Sequence, residues 1–200
     1  MGQEFELRGV SMNWALIGAS TIARQFLIPA IRSVAGSQAT WVVSGSADHA
    51  KNFADEENIP NATTDLDLAL TDPSVDAVYI SSTNEKHHPQ ALAAIAAGKH
   101  VLCEKPLAMT LDEAREMIEA AKKAGVHLAT NHHLRCAGSH RAIRQLIKDG
   151  RVGDVLSIKV YHAVSLPEHL RGWRLDNPSA GGGVVLDMTV HDTDTIRYHL

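Results

Sequence analysis

The fold is decided by one stretch near the start of the chain, Trp14-Ala15-Leu16-Ile17-Gly18-Ala19-Ser20-Thr21-Ile22-Ala23. Its first four residues form an apolar run that predicts a short buried strand, and the glycine that follows predicts a tight turn. A helix-length segment then runs from about residue 21 to residue 33. A strand, a glycine turn and a helix in this order predict the first unit of a doubly wound α/β domain.

The same order of strand and helix recurs along the next hundred residues. Further strands are predicted at residues 40–43, 77–80, 100–103 and 126–129, and helices at residues 47–57, 65–70, 89–97 and 110–124. Thr110 and Glu113 have the spacing of a capping box, and Gly125 supplies a helix stop. Parallel strands need a crossover connection, so this alternation predicts a parallel sheet with helices on both faces, a Rossmann-type domain over residues 12–133.

The pattern changes after Asn131. A helix is predicted over residues 139–148, an alternating strand over residues 155–164, and then an irregular stretch with Pro167 and Pro178. We interpret residues 134–200 as the start of an α+β substrate domain. A single strand cannot form a sheet, so we expect this domain to be incomplete and the 200-residue chain to lack efficient catalysis. Residues 1–11 are predicted to be a leader or tag.

Composition excludes several classes of partner. The chain has 19 basic and 23 acidic residues, a formal charge of −4, and no block of lysine or arginine, so nucleic acid is not an expected partner. No apolar run approaches the roughly 18–20 residues of a membrane span. Cys103 and Cys136 are the only cysteines and indicate no disulfide framework. We therefore expect a cytoplasmic protein without a membrane partner.

The glycine turn occupies the place of a dinucleotide-binding fingerprint. In G-x-G-x-x-G/A terms, Gly18 and Ala23 keep the first and last positions, whereas Ser20 replaces the second glycine. Amide groups at this helix start can bind a pyrophosphate. A glycine-containing turn without a ligand is the alternative interpretation. Ligands of such sheets bind where the strands end, so the turns at residues 18, 44, 81 and 104 are expected to converge on one crevice.

The end of the second strand predicts which dinucleotide binds. A site for NAD has an acidic residue there, whereas this chain continues with Ser44-Gly45-Ser46. The missing carboxylate favours NADPH. Both serines can donate to a 2′-phosphate, and His49 or Lys51 can supply positive charge. The alternative is a solvated helix start that is capped by Ser46.

Two groups of residues are candidates for the chemical step. Glu104-Lys105-Pro106 follows an apolar strand, at a position where the lysine side chain would project into the crevice. A solvated lysine is the alternative. Further along, Asp187 and His191 are four residues apart in a predicted helix, so both can face one ligand. A histidine suits proton transfer during hydride transfer, although a hydrogen-bonded surface pair has the same spacing.

Histidine pairs do not indicate a metal site. His87-His88 and His132-His133 are adjacent pairs without the spacing of zinc ligands, and no H-E-x-x-H or paired C-x-x-C motif occurs. We predict that the protein holds no metal.

Taken together, these motifs resemble the glucose-fructose oxidoreductase and inositol dehydrogenase family, Gfo/Idh/MocA. The resemblance runs from about Met12 to the end of the chain. It rests on the Gly18 turn, the Glu104-Lys105-Pro106 sequence and the glycine-rich run before Asp187 and His191. It also includes Asn84, after the strand at 77–80, and Asn131.

The family resemblance implies an NADPH-dependent oxidoreductase that reduces a small sugar-like ketone, with another sugar or polyol dehydrogenase of the same family as the alternative. Together with the strand-end positions, it implies a set of NADPH contacts, namely Gly18, Ala19, Ser20, Thr21, Ile22, Ser44, Gly45, His49, Ser82, Thr83, Asn84, Glu104, Lys105, Asn131, Trp173 and Arg174.

The resemblance also implies roles in catalysis. Lys105, Asp187 and His191 would face the substrate, with His191 as proton donor, Asp187 orienting it and Lys105 polarising the reacting oxygen. At His49 the resemblance implies an arginine for the 2′-phosphate, which this chain lacks. A dinucleotide-binding regulator without turnover remains the alternative, and the intact catalytic set argues for an enzyme.

Overall fold

The computed structural model describes residues 11–163, 165–183 and 185–200, without the side chains of His169, Leu170, Trp173 and Arg174. The described chain divides into two compact units, after Ala129. The sequence pattern predicted the domain boundary at residue 133, within the segment that follows the last strand.

The first unit is built on a six-stranded sheet whose order is β3-β2-β1-β4-β5-β6. Its strands are β1 (Asn13–Ile17), β2 (Gln38–Val43), β3 (Asn61–Thr63), β4 (Ala77–Ile80), β5 (His100–Cys103) and β6 (Leu128–Thr130). The four pairs from β3 through β5 are parallel. The order reverses between β1 and β4, the place where ligands bind in doubly wound sheets. The predicted doubly wound parallel sheet is therefore confirmed.

Helices cover both faces of this sheet. They are α1 (Ile28–Ser33), preceded by a π-helical segment (Ala23–Leu27), α2 (Ala47–Glu57), α3 (Leu66–Thr71), α4 (Asn84–Ala96) and α5 (Leu111–Ala124). The π-helical segment stands before Pro29, which has no N–H to continue α-helical hydrogen bonding. The predicted capping box of α5 and its stop at Gly125, in the left-handed conformation, are both confirmed.

The sheet buries two apolar clusters, one on each face. Adjacent strand residues point to opposite faces, so Ile17 and Ile80 belong to one cluster, whereas Leu16 and Tyr79 belong to the other. The first cluster packs against α3, α4 and α5, and the second against α1 and α2. Burying one large apolar side chain contributes about 1.5–3 kcal/mol, so these clusters hold the carboxyl ends of the strands in register.

Two details of the first unit differ from the prediction. β3 was not predicted, since its three residues carry no apolar pattern and form a strand only through pairing with β2. The fourth helix begins at Asn84 rather than at Pro89 and contains the proline. The helix start therefore lies directly in the turn after β4, which brings His87 into the helix.

The second unit contains α6 (Gly138–Lys148), α7 (Glu168–Asp176) and α8 (Val190–His199). A π-helical turn (Val185–Thr189) leads into α8, so the predicted single helix carrying Asp187 and His191 begins with π geometry. Its entry passes through Gly181 and Gly183, both with positive φ, a conformation that an α-helix cannot include.

The strand predicted at residues 155–164 is wrong for residues 155–163, which contain no strand, and Val164 lies outside the described residues. A strand needs a neighbour for its backbone hydrogen bonds, and no other strand occurs in the described residues beyond Thr130. The stretch after it contains α7, which follows Pro167 directly and is interrupted at Gly172, where the backbone angles are not helical.

None of the helices in the described ranges combines the length and apolar content that a bilayer span needs. The predicted leader lies largely outside the described residues. Its last residue, Ser11, donates a hydrogen bond to the Gly36 carbonyl at 2.7 Å.

Candidate functional site

The turn after β1 approaches the turn after β4 so closely that only glycine fits. Gly18 has φ +114°, and a Cβ there would lie 2.8 Å from the Ser81 carbonyl carbon and 2.9 Å from the Ser82 nitrogen. Backbone hydrogen bonds from Gly18 to Val43 and from Ser81 to Ile17 fix the neighbouring strand ends. Gly18 therefore brings two strand-end turns together at the switch point of the sheet.

Ser20, where the fingerprint has a second glycine, contributes its hydroxyl to this junction. Its Oγ lies 2.7 Å from the Ser81 Oγ and accepts a hydrogen bond from the Ala23 amide at 3.1 Å. The serine thus caps the first helical turn and links it to β4. Thr21 is exposed and Ala19 and Ile22 are half-buried, so the outer side of the turn stays accessible to a ligand.

The turn after β2 brings together the residues predicted to recognise a 2′-phosphate. Ser44 Oγ lies 3.3 Å from the His49 Nδ1, and a Cβ at Gly45 would meet nothing within 4 Å. Ser46 accepts a hydrogen bond from the His49 amide and caps α2, which confirms the alternative proposed for that serine. Lys51 forms an exposed ion pair with Asp55, which also raises the pKa of the lysine through their hydrogen bond.

The turn after β4 is held by side chains of α4. Ser82 Oγ donates to Gln90 Oε1 at 2.6 Å, and Thr83 Oγ1 donates to Glu85 Oε1 at 2.7 Å. Asn84, the first residue of α4, is buried. Of the three predicted cofactor residues of this turn, Ser82 lies at the Gly18 junction, and Thr83 and Asn84 follow it in the chain.

The turn after β5 contains a buried carboxylate next to the candidate catalytic lysine. Glu104 is 6% exposed, its Oε1 accepts a 2.6 Å hydrogen bond from the Tyr79 hydroxyl, and its Oε2 accepts from the Lys105 amide at 3.3 Å. Tyr79 was not predicted to take part, because an apolar strand pattern does not show which side chain carries a useful hydroxyl. The Lys105-Pro106 peptide bond is cis.

In the second unit, His191 is buried in α8 at 7% exposure and lies among other histidines. Its ring centroid is 5.2 Å from that of His133 and 6.4 Å from that of His132, both with edge-to-face geometry. The pair His132-His133, whose spacing in the sequence did not indicate a metal site, thus lies beside the candidate proton donor. The described residues contain no group of three or more histidine, cysteine or acidic side chains placed to hold a metal.

An ion pair joins the short helical turn at His133–Cys136 to α8. The Arg135 guanidinium binds the Asp194 carboxylate through two nitrogens, with Nε to Oδ2 at 2.6 Å, and this contact raises the arginine pKa. Asp194 is 7% exposed, and its Oδ1 is also 3.9 Å from His132 Nε2. Sequence reasoning missed this pair, since its members lie 59 residues apart without a shared motif.

Next to α8 lies an open groove of about 420 Å³, with both apolar and charged walls. Its lining includes Val185, Leu186, Val190, His132, Asp194 and Arg197. Asp187, in the π-helical turn, and Asn131 are half-buried. The predicted contacts Trp173 and Arg174 have side chains outside the described part of the chain.

The sheet topology and the glycine turn at the switch point define a Rossmann domain of the dinucleotide-binding type, and the family models agree. An oxidoreductase family model with an NAD-binding Rossmann fold matches residues 12–132, and a GFO/IDH/MocA C-terminal domain model matches residues 140–200. The chain belongs to the Gfo/Idh/MocA family, as its motifs predicted.

The chain is also similar to individual members of this family. The chain is 57% identical over 187 residues to a 1,5-anhydro-D-fructose reductase of Ensifer adhaerens, covering 94% of this chain and 56% of that protein. A crystal structure of a probable dehydrogenase from Thermotoga maritima matches 94% of this chain and 54% of its own, with a TM-score of 0.80 and 28% identity.

A third similar protein was solved with ligands. It is a variant of a 3-ketoreductase from Actinomadura kijaniata, in complex with TDP-benzene and NADP. It is 27% identical, with a TM-score of 0.67, over 73% of this chain and 45% of its own. The present chain spans about half the length of the curated relatives it matches.

Proposed function

We propose that this protein is an NADPH-dependent oxidoreductase that reduces a sugar-like ketone, with 1,5-anhydro-D-fructose as substrate and 1,5-anhydro-D-mannitol as product. The observation that carries the proposal is the 57% identity to a 1,5-anhydro-D-fructose reductase across 94% of the chain. The identity of the substrate and the identity of the cofactor are both part of this proposal.

The residues at the sheet edge fit a dinucleotide. Gly18 leaves no side chain at the junction of the two turns, and open space at Gly45 leaves room for a ligand against the backbone. Ser44 and His49 offer polar groups where a carboxylate would repel a 2′-phosphate. A similar ketoreductase was crystallised with NADP, which also supports NADPH here.

Within this proposal, the chain's own side chains hold and protonate the reacting oxygen. The bound nicotinamide supplies the hydride chemistry. Lys105 places positive charge beside the oxygen as negative charge develops, which stabilises the transition state. His191 gives the proton to that oxygen, and Asp187 orients His191.

The test, made on the full-length gene product, is reduction of 1,5-anhydro-D-fructose with NADPH, followed by loss of NADPH absorbance and identification of the product. His191→Ala should lower kcat by about 10²–10⁴-fold and leave NADPH affinity nearly unchanged. His162→Gln is the matched control, because His162 also contacts α8, through Asp192 at 2.9 Å, and has no proposed catalytic role.

The outcomes separate the candidate functions. Tight NADPH binding without reduction of any sugar ketone would favour a dinucleotide-binding regulator. Reduction of a different sugar or polyol carbonyl would keep the reaction and change the substrate. Wild-type turnover in the His191→Ala protein at all pH values would remove His191 from the mechanism.

A further inference from the structure

His87 occupies an unusual position between the two turns that carry the proposed cofactor and catalytic residues. It is the fourth residue of α4 and is completely buried. Its Nδ1 lies 2.8 Å from the carbonyl oxygen of Pro106, and its Nε2 lies 3.2 Å from the carbonyl oxygen of Ser82. One imidazole ring thus contacts the turn after β5 and the turn after β4.

We propose that His87 is a positioning residue that links these two turns and holds the Lys105 turn in place for catalysis. The link itself is independent of the reaction, whereas its importance for catalysis rests on the proposed function. Pro106 directly follows Lys105, so a hydrogen bond to its carbonyl restrains the backbone next to the lysine.

A neutral imidazole has only one N–H, and carbonyl oxygens can only accept hydrogen bonds. A neutral His87 can therefore donate to only one of its two carbonyl neighbours. Burial lowers the pKa of His87, although the two carbonyls and the carboxylates of Glu104 and Glu85 oppose this effect. A ring that is neutral near pH 7 carries its proton on one nitrogen. The shorter contact assigns that proton to Nδ1, which donates to Pro106.

Contact with solvent cannot account for the presence of a histidine at position 87, because the side chain is completely buried. Burying a polar side chain is unfavourable unless it is hydrogen-bonded, and each ring nitrogen of His87 has a carbonyl oxygen within hydrogen-bond distance. The neighbouring His88 shows the contrast. It is on the outside of α4 and bonds to Glu116 of α5 at 2.8 Å, where both partners reach solvent.

Amide substitutions can replace one ring nitrogen at a time. The side-chain nitrogen of asparagine superimposes on Nδ1 of histidine, and that of glutamine superimposes on Nε2. His87→Asn therefore keeps the donor toward Pro106, His87→Gln places a donor only toward Ser82, and His87→Leu has no donor toward either carbonyl. His88→Gln is the matched control on the same helix.

The experiment measures amide hydrogen exchange in the full chain without ligand, at Lys105, Leu107 and Ala108, with the amides of β1 and β2 as internal references. We expect exchange in this turn to become about five- to tenfold faster in His87→Leu and His87→Gln, the effect of losing one net hydrogen bond. His87→Asn and His88→Gln should stay within about twofold of wild type.

A purely structural role would accelerate exchange in β1 and β2 as well, and would not distinguish asparagine from glutamine. That pattern would overturn the proposal, as would an unchanged turn in His87→Leu. NADPH affinity is measured in parallel and should fall in the same two variants. If wild type fails to bind NADPH, the proposed function fails, while the exchange data still decide whether His87 holds the turn.

Discussion

The two units of this protein differ in how many apolar side chains they bury. The first unit encloses apolar clusters on both faces of a sheet, and apart from Ala180 all buried apolar side chains of the described residues belong to it. The second unit buries polar groups instead, among them His191, Asp194 and His199. Its helix α6 has no buried residue, and Leu156 and Tyr161 are strongly exposed.

The two units therefore depend on different contributions to stability, apolar burial in the first and paired polar groups in the second. Apolar burial is non-directional and adds up over many residues, so the first unit has the means to fix its strand ends and the turns that follow them. Buried polar groups stabilise a structure only while each keeps its partner. We therefore expect the first unit to tolerate the loss of single surface contacts, and the second to depend on a few specific pairs.

The largest expected effect comes from the apolar core. Leu16→Ala should lower the free energy of unfolding of the first unit by about 2–5 kcal/mol, because it leaves a cavity in a fully buried cluster. Leu146→Ala, at a position 42% exposed on α6, should change stability by about 0.5 kcal/mol or less.

Amide hydrogen exchange, read in β2 for the first unit and in α6 for the second, checks this pair because it reports on each unit separately. Equal losses for the two leucine variants would contradict the comparison.

A smaller loss is expected from the polar centre of the second unit. Arg135→Ala removes the guanidinium from the buried Asp194 carboxylate and should destabilise α8 by about 1–3 kcal/mol, the cost of an unsatisfied buried acceptor. The estimate stays at this modest level because the arginine side chain is itself 44% exposed.

Amide exchange in α8 measures this change. Arg115→Ala, which breaks an exposed pair with Asp112 in the first unit, is the control and should cost no more than about 0.5 kcal/mol. An Arg135→Ala protein whose α8 exchanges like wild type would show that the pair contributes nothing to the second unit.

Much of the first unit was predictable because its signals are local. Each of these signals spans only a few residues of sequence, as in the β1 apolar run, the Gly18 turn and the Thr110 capping box. Features that depend on distant partners were missed or wrong. β3 exists only through β2, and the predicted strand from residue 155 finds no strand to pair with in the described second unit.

The residues of the candidate site also separate into those with a local sequence signal and those whose contacts depend on distant partners. Strand-end positions identified Gly18, Ser44 and Lys105, since a parallel sheet collects its carboxyl ends at one edge. Periodicity could not show that Tyr79 donates to Glu104, or that His87 contacts Pro106 19 residues away. Such contacts join side chains whose separation in sequence carries no period.

The smallest expected effect concerns pH. Burial lowers the pKa of His87 in the first unit, and burial together with His140 and Arg144 lowers that of His199 in the second. The unfolded chain then binds protons more readily than the folded one below the ordinary value of 6.5. Stability should be constant above that pH and fall progressively as the pH drops toward the lower folded-state pKa values.

Unfolding free energies at about pH 8 and about pH 5 check this dependence. His87→Asn should show a smaller loss in the first unit, and His199→Gln a smaller loss in the second. An acid-induced loss that is identical in the wild type and both variants would assign it to other groups.

The central claim is that the first unit is a dinucleotide site that prefers NADPH. The most direct measurement titrates the protein with NADPH and NADH by fluorescence, in the wild type, in Ser44→Asp and in Ser37→Asp, a control just before the opposite end of β2. We predict tighter NADPH binding in the wild type and in the control, and at least a roughly tenfold shift toward NADH in Ser44→Asp through charge repulsion. Tighter binding of NADH by the wild type, or no binding of either dinucleotide, would contradict the account.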